Sequence, residues 1–104
     1  MDTIEERLPP HSVEAEEAVL GSLLIDPDAI FEVATFLRPD AFYRAQNRWI
    51  YEAILSLNER RVPLDVVTLI EELRRNEQLD EIGGEPTVIS LLNAVPTSIN
   101  AEAY

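Results

Sequence analysis

Apolar positions along this chain recur at steps of three and four, and no stretch alternates with a period of two. That spacing predicts amphipathic helices and no strands. Pro9 and Pro10 block a helix, and Ser12 then supplies a good N-cap. Glu14, Glu16 and Glu17 follow where the positive end of the helix dipole favours acids. Ala15, Val19 and Leu23 fall four apart, with Ala18, Leu20 and Leu24 broadening the face, so the first helix is expected to end near Ile25. Gly21 inside it costs about 1 kcal/mol relative to Ala. Close approach of a second helix is the expected return.

Asp26 and Pro27 restart the pattern as N-cap and first helical residue. Ile30, Phe31, Ala34 and Leu37 form the predicted stripe of a second helix that Pro39 stops. A connector with two aromatics, Phe42 and Tyr43, leads to a third helix over Ala45 to Glu59. Its stripe is Trp49, Ile50, Ala53, Ile54 and Leu57, which places Trp49 in the core between helices one, three and four. Asp65 caps a fourth helix bearing Val66, Leu69, Ile70 and Leu73. Glu85 and Pro86 open a short fifth one with Val88, Leu91 and Leu92, ended by Val95 and Pro96. Thr97 or Ser98 then caps a further helix that is unfinished at Tyr104, as expected of a sequence cut from a longer protein. The expected class is all-α, a compact orthogonal bundle of about five to six short helices. Residues 1–9 are expected to be a flexible arm and 10–104 the folded domain.

Composition narrows the function. A chain of 104 residues with 46% apolar content suits one packed domain. It has no cysteine, which excludes disulfides and thiolate metal sites. No apolar run approaches the ~18 residues of a membrane span, and the opening MDTIEERLPP is too acidic for a signal peptide. A soluble, cytoplasmic protein is the expectation. Twenty acidic residues against eight basic ones give a formal net charge of −12. All eight bases are Arg, so the domain repels nucleic-acid phosphates at long range.

Candidate chemistry is sparse. Gly83 and Gly84 are the only adjacent glycines, yet no Lys exists and Glu85 stands where a phosphate would sit. A left-handed turn between two helices, with Ile82 packed inward beside Leu79, is the better reading. Asp26 and Asp28 begin a calcium-loop pattern that fails at Ile30. Glu14, Glu16 and Glu17 diverge around a helix and read as a solvated face. His11, the lone histidine, reads as a surface or capping residue. Trp49 and Tyr51 beside Arg44 and Arg48 hint at base stacking, but the stripe favours packing for Trp49. The expected catalytic, cofactor-binding and metal-ligating residues are therefore none. A binding or assembly module is what remains.

The stretches PPHSVEAEEAVLGSLLID, FY with IYEAILSL, VPLDVVTLIEEL, LDEIGG and VPTSINAEAY occur in order. Together they resemble the N-terminal domain of bacterial replicative DNA helicases of the DnaB type, from about Leu8 to Tyr104. The matching positions are Pro10, Glu14, Ala15, Glu16, Leu20 and Gly21 in the first helix, then Phe42, Tyr43 and Ile50. Asp65, Thr68 and Leu73 match in the fourth helix, followed by Ile82, Gly83, Gly84, Pro96 and Tyr104. Thr87 and Val88 depart from the Tyr-Leu pair usual in the family.

The resemblance implies a non-catalytic collar domain, truncated before a C-terminal helical hairpin and a RecA-like motor domain. ATP and Mg²⁺ would belong to that motor domain in the parent helicase. The implied partners are copies of the same chain, arranged as a trimer of dimers in a hexamer, a DnaG-type primase and a helicase loader. DNA would be bound by the parent ring and not appreciably by this segment. The alternative function is a free-standing acidic helical adaptor for a basic protein. An enzyme working through carboxylates alone is disfavoured, because no pair sits in an apolar setting that would shift a pKa.

Overall fold

In a computed structural model of the chain, residues 12–95 are described. Five α-helices and three 3₁₀ turns make up this span, with no strand among the described residues. Helix α1 (Val13–Ile25) begins at Ser12, whose hydroxyl accepts a hydrogen bond from the Ala15 amide at 3.3 Å. Its buried face is Leu20, Gly21, Leu23 and Leu24. Ala15, expected on that face, is exposed, and Val19 is only partly covered. Complete burial of Leu20 contributes ~1.5–3 kcal/mol.

The second element departs most from expectation. A 3₁₀ turn over Pro27–Ala29 leads into α2, which is α-helical only over Ile30–Val33. The Thr35 hydroxyl donates to the Glu32 carbonyl at 2.7 Å, and the amides of Thr35 and Phe36 reach back three residues. Such local bonds tighten the chain away from the α-helix. Asp26, expected as a side-chain cap, makes no capping hydrogen bond. The stripe changes accordingly: Ile30 is buried and Val33 and Leu37 pack against the core, while Phe31 and Ala34 face solvent.

Helix α3 (Ala45–Glu59) has the expected bounds. Its core face is Asn47, Ile50, Tyr51, Ala53, Ile54 and Leu57. Trp49, expected in the core, is half-buried at its edge, and Tyr51 is fully buried instead. The Tyr51 hydroxyl donates to the Leu37 carbonyl at 2.8 Å, and its ring meets Phe42 at a centroid distance of 5.0 Å. A phenol with its polar tip satisfied is a stable core residue. Positions 49 and 51 flank Ile50 on either side, and the stripe is turned toward 51.

Helix α4 (Val66–Arg75) starts with a reciprocal cap. Asp65 accepts from the Thr68 amide at 2.8 Å, and the Thr68 hydroxyl accepts from the Asp65 amide at 2.9 Å. Leu69, Ile70 and Leu73 turn inward as the spacing predicts. Helix α5 (Glu85–Ser90) continues as a 3₁₀ turn over Leu91–Ala94. Val88 and Leu91 are buried, whereas Leu92 is 37% exposed. That last turn returns to α1, α3 lies between α1 and α4, and α4 packs on α5.

Candidate interaction surface

The glycine pair ends a helical turn. The Gly83 amide donates to Asp80 O at 3.1 Å and the Gly84 amide to Leu79 O at 2.8 Å. Both donors are used within the turn, so they do not converge on an outside phosphate. Gly83 has φ 108° and Gly84 φ 84°, values suited to glycine, and Ile82 and Leu79 are buried beneath them. Two helix ends use the same pair of bonds. Val62 N to Leu57 O with Arg61 N to Asn58 O closes α3, and Gln78 N to Leu73 O with Glu77 N to Arg74 O closes α4. Arg61 and Glu77 take the left-handed position there, at φ 61° and 60°.

The three glutamates of α1 separate as expected of adjacent helix positions. Glu16 turns to the connector, accepting from the Tyr43 amide at 2.6 Å and from Asn47 Nδ2 at 2.9 Å. Glu17 lies 3.7 Å from Arg44, while Glu14 is exposed. Glu16 thus clasps the entry to α3 and satisfies Asn47, which is buried. Sequence reasoning missed this role. An Asn one turn inside a helix start carries that signal only once α1 and α3 are known to touch.

Of the two aromatics in the base-stacking pattern, Trp49 is half-buried and Tyr51 is not accessible. Arg44 Nε donates to Gln46 at 2.9 Å, and Arg48 donates to the Phe42 carbonyl at 3.1 Å. The exposed aromatic of the connector is Tyr43. His11 lies outside the described residues. Asp28 lines a surface groove, and among the described residues no three His, Cys, Asp or Glu side chains gather as a metal site.

One buried acid also escaped prediction. Glu72 on α4 is 5% exposed and is bridged by Arg60, just past α3, with Arg75 at 3.5 Å. The pairing ties the end of α3 to α4. Arg74 and Glu85, 2.9 Å apart, tie α4 to α5 in the same way at the surface.

The surface is otherwise apolar in patches. An open groove of about 420 Å³ runs between Pro27–Phe31 and the end of α3, walled by Ile30, Ile54, Val62, Pro63 and Leu64. Phe31 at its rim and nearby Ile25 and Phe36 are well exposed. No helix among the described residues is long and apolar enough to cross a membrane.

Fastened turns, inter-helix ion pairs and exposed apolar side chains define an all-α scaffold with apolar patches at its surface. The chain belongs to the DnaB-like helicase N-terminal domain family, whose pattern matches residues 8–104. It is 45% identical over 103 residues to the replicative DNA helicase DnaB of Geobacillus stearothermophilus, covering 99% of this chain and 23% of that protein. The replicative DNA helicase DnaC of Bacillus subtilis is 42% identical, with the same coverage of 99% and 23%. The crystal structure of the N-terminal domain of DnaB helicase from Mycobacterium tuberculosis superposes with a TM-score of 0.82 at 45% identity, covering 92% of this chain and 70% of that one. The chain therefore spans about a quarter of the length of the curated relatives it matches. At the departure from the family pattern, Val88 is a core residue and Thr87 is partly covered beside Gly83, so only Thr87 alters the surface.

Proposed function

We propose that this chain is the non-catalytic collar segment of an ATP-driven replicative DNA helicase. It supports assembly with copies of itself into a hexamer and offers docking surfaces to a DnaG-type primase and a helicase loader. ATP and Mg²⁺ are bound by the motor domain of the whole protein, which works in the cytoplasm. The observation that carries this reading is one of proportion: 99% of this chain aligns with only 23% of a replicative helicase at 45% identity. The charge supports it physically. A head with a net charge of −12 suits contact with proteins and not a grip on phosphates.

The test begins with the gene beyond codon 104. A GxxxxGK[ST] motif downstream is expected, and the full-length protein should form rings and unwind a forked duplex only with ATP and Mg²⁺. A reading frame without that motif would overturn the helicase reading and leave an acidic adaptor. For the docking role, a purified DnaG-type primase should co-elute with the full-length ring and lose that association when residues 1–104 are deleted. Undiminished binding to the deleted protein would place the docking surface elsewhere.

A further inference from the structure

Among the described residues, Arg61 is the arginine whose side chain has no partner. Arg38, Arg44, Arg60, Arg74 and Arg75 each face a carboxylate, and Arg48 donates to the Phe42 carbonyl. In a chain with twenty acids, a guanidinium without one is unexpected. Its backbone makes it more so. Arg61 holds φ 61°, a left-handed conformation that costs an ordinary residue stability, and no contact of its side chain offsets that cost. Backbone strain kept without such a contact points to a role outside the fold.

The surroundings of Arg61 indicate that role. It lines the groove of about 420 Å³ at the end of α3, and Asp28, also without an ion pair, lines the wall of Pro27–Phe31. Between the two charges the groove is apolar, formed by Ile30, Ile54, Val62 and Leu64. Its volume is within the ~300–1,000 Å³ usual for binding clefts. The wall after α3 is poorly suited to an added strand. The Val62 amide is bonded to Leu57 O and Pro63 has no amide hydrogen. A helix arrives with its backbone bonds already made and needs only an apolar face. We propose that the groove seats an amphipathic helix of another protein, its apolar stripe flanked by an acid toward Arg61 and a base toward Asp28. The planar fork of a guanidinium matches a carboxylate. A second copy of this chain is a poorer occupant, because it brings the same net charge of −12. The site rests on the groove alone and serves a helicase collar or an adaptor equally.

NMR titration of the ¹⁵N-labelled 104-residue protein tests this. The probe is an alanine-based helical peptide of about 15 residues, long enough to hold a helix. It carries Leu at positions i, i+3, i+4 and i+7, with one Glu and one Lys on opposite flanks of that stripe. Saturable shifts are expected at the amides of Ile54, Val62 and Leu64. Arg61→Gly, which suits the left-handed backbone and so keeps the fold, should weaken binding about threefold, as for an exposed ion pair. Replacing the peptide's Glu by Gln should weaken binding to wild type equally and abolish the effect of Arg61→Gly. Arg74→Gln, the same change of charge on α4, should leave the affinity unchanged. Absence of saturable groove shifts at millimolar peptide would overturn the proposal. So would an Arg61→Gly loss that persists with the Gln peptide, or an equal loss in Arg74→Gln. Groove shifts that appear on concentrating the protein without peptide would make a second copy the occupant and overturn it as well.

Discussion

Gly21 of α1 lies directly beneath the carbonyl of Leu91. A Cβ at position 21 would overlap the Leu91 oxygen and come within 2.6 Å of Val95 Cγ2. The obstacle is backbone, which cannot swing aside as a long side chain can. Gly21→Ala would gain about 1 kcal/mol of helix propensity. Overpacking costs about 1–3 kcal/mol, and here it falls on a fixed carbonyl, so the net effect should be destabilising. A lower urea midpoint is expected, and a midpoint above wild type would show that the terminal turn moves freely from α1.

Two helix ends and one turn use the same pair of hydrogen bonds with a residue in the left-handed region, and the two helix ends place a side chain there. Arg61 and Glu77 forgo the freedom that Gly83 has in the same hydrogen-bonded turn. Left-handed backbone costs an ordinary residue about 1–2 kcal/mol, and glycine's unfolded-state entropy returns about half of that. Arg61→Gly and Glu77→Gly should therefore each raise stability by about 0.5–1 kcal/mol. Gly83→Ala should lower it, because its Cβ would also overlap the Thr87 hydroxyl. Chemical denaturation of all three variants checks the set; a destabilised Arg61→Gly would mean that the arginine makes contacts worth more than the strain.

Most of the architecture was legible because it rests on local rules. Ser12 and Asp65 cap as read, α3 runs from Ala45 to Glu59 as read, and Gly83–Gly84 is a turn as read. The failures lie where two readings fit one pattern. Trp49 and Tyr51 are both one step from Ile50, and it is Tyr51 whose hydroxyl finds an acceptor, Leu37 O, and whose ring finds Phe42. Phe31 and Ala34 fit a stripe that the Thr35 bond to Glu32 twists away. Glu16 and Glu72 look like ordinary surface acids until their partners Asn47 and Arg60 arrive. The surface was legible only as a charge and a family resemblance, because exposed apolar side chains follow from packing already completed.

Tyr51 should make the stability sensitive to alkali. Burial raises its pKa above the ordinary value of 10. The unfolded phenol ionises first, so stability is full below pH ~10 and declines as pH rises toward the folded value, by at most ~1.4 kcal/mol per unit from this group. Tyr51→Phe removes that slope and leaves the Leu37 carbonyl without its donor, which costs about 1–2 kcal/mol at neutral pH. Urea midpoints from pH 8 upward, measured on both proteins, test the sign. A wild type that gains stability in that range relative to Tyr51→Phe would refute it.

Glu72 should matter more than any other acid on α4. It is buried, while its partners Arg60 and Arg75 keep side chains 42% and 66% exposed. Removing the carboxylate leaves those cations able to rehydrate, so Glu72→Ala should cost about 1–3 kcal/mol, less than stranding a fully buried charge. Arg75→Ala, which loses a half-solvated pair, should cost under about 1 kcal/mol. Equal losses in the two variants would mean that the burial of Glu72 is not what sets its contribution.

Assembly should respond to salt in the direction opposite to that of most ionic contacts. Ile25, Phe31 and Phe36 are 59%, 67% and 69% exposed and lie within one short segment of the chain. Apolar side chains left in water favour association, at ~25 cal/mol per Å² removed from water. The net charge of −12 opposes it, because every like-charged copy repels the next. Raising ionic strength from about 0.02 to about 0.5 M shortens the screening length severalfold and removes repulsion without weakening the apolar contact. Sedimentation equilibrium of the 104-residue chain should therefore show monomers or weak dimers at low salt and tighter association at high salt. Phe31→Ser combined with Phe36→Ser should abolish the increase while leaving the urea midpoint near wild type, since neither ring is in the core. Association that weakens with salt would assign the contact to ion pairs, and a salt response unchanged by the double substitution would place the contact on another face of the domain.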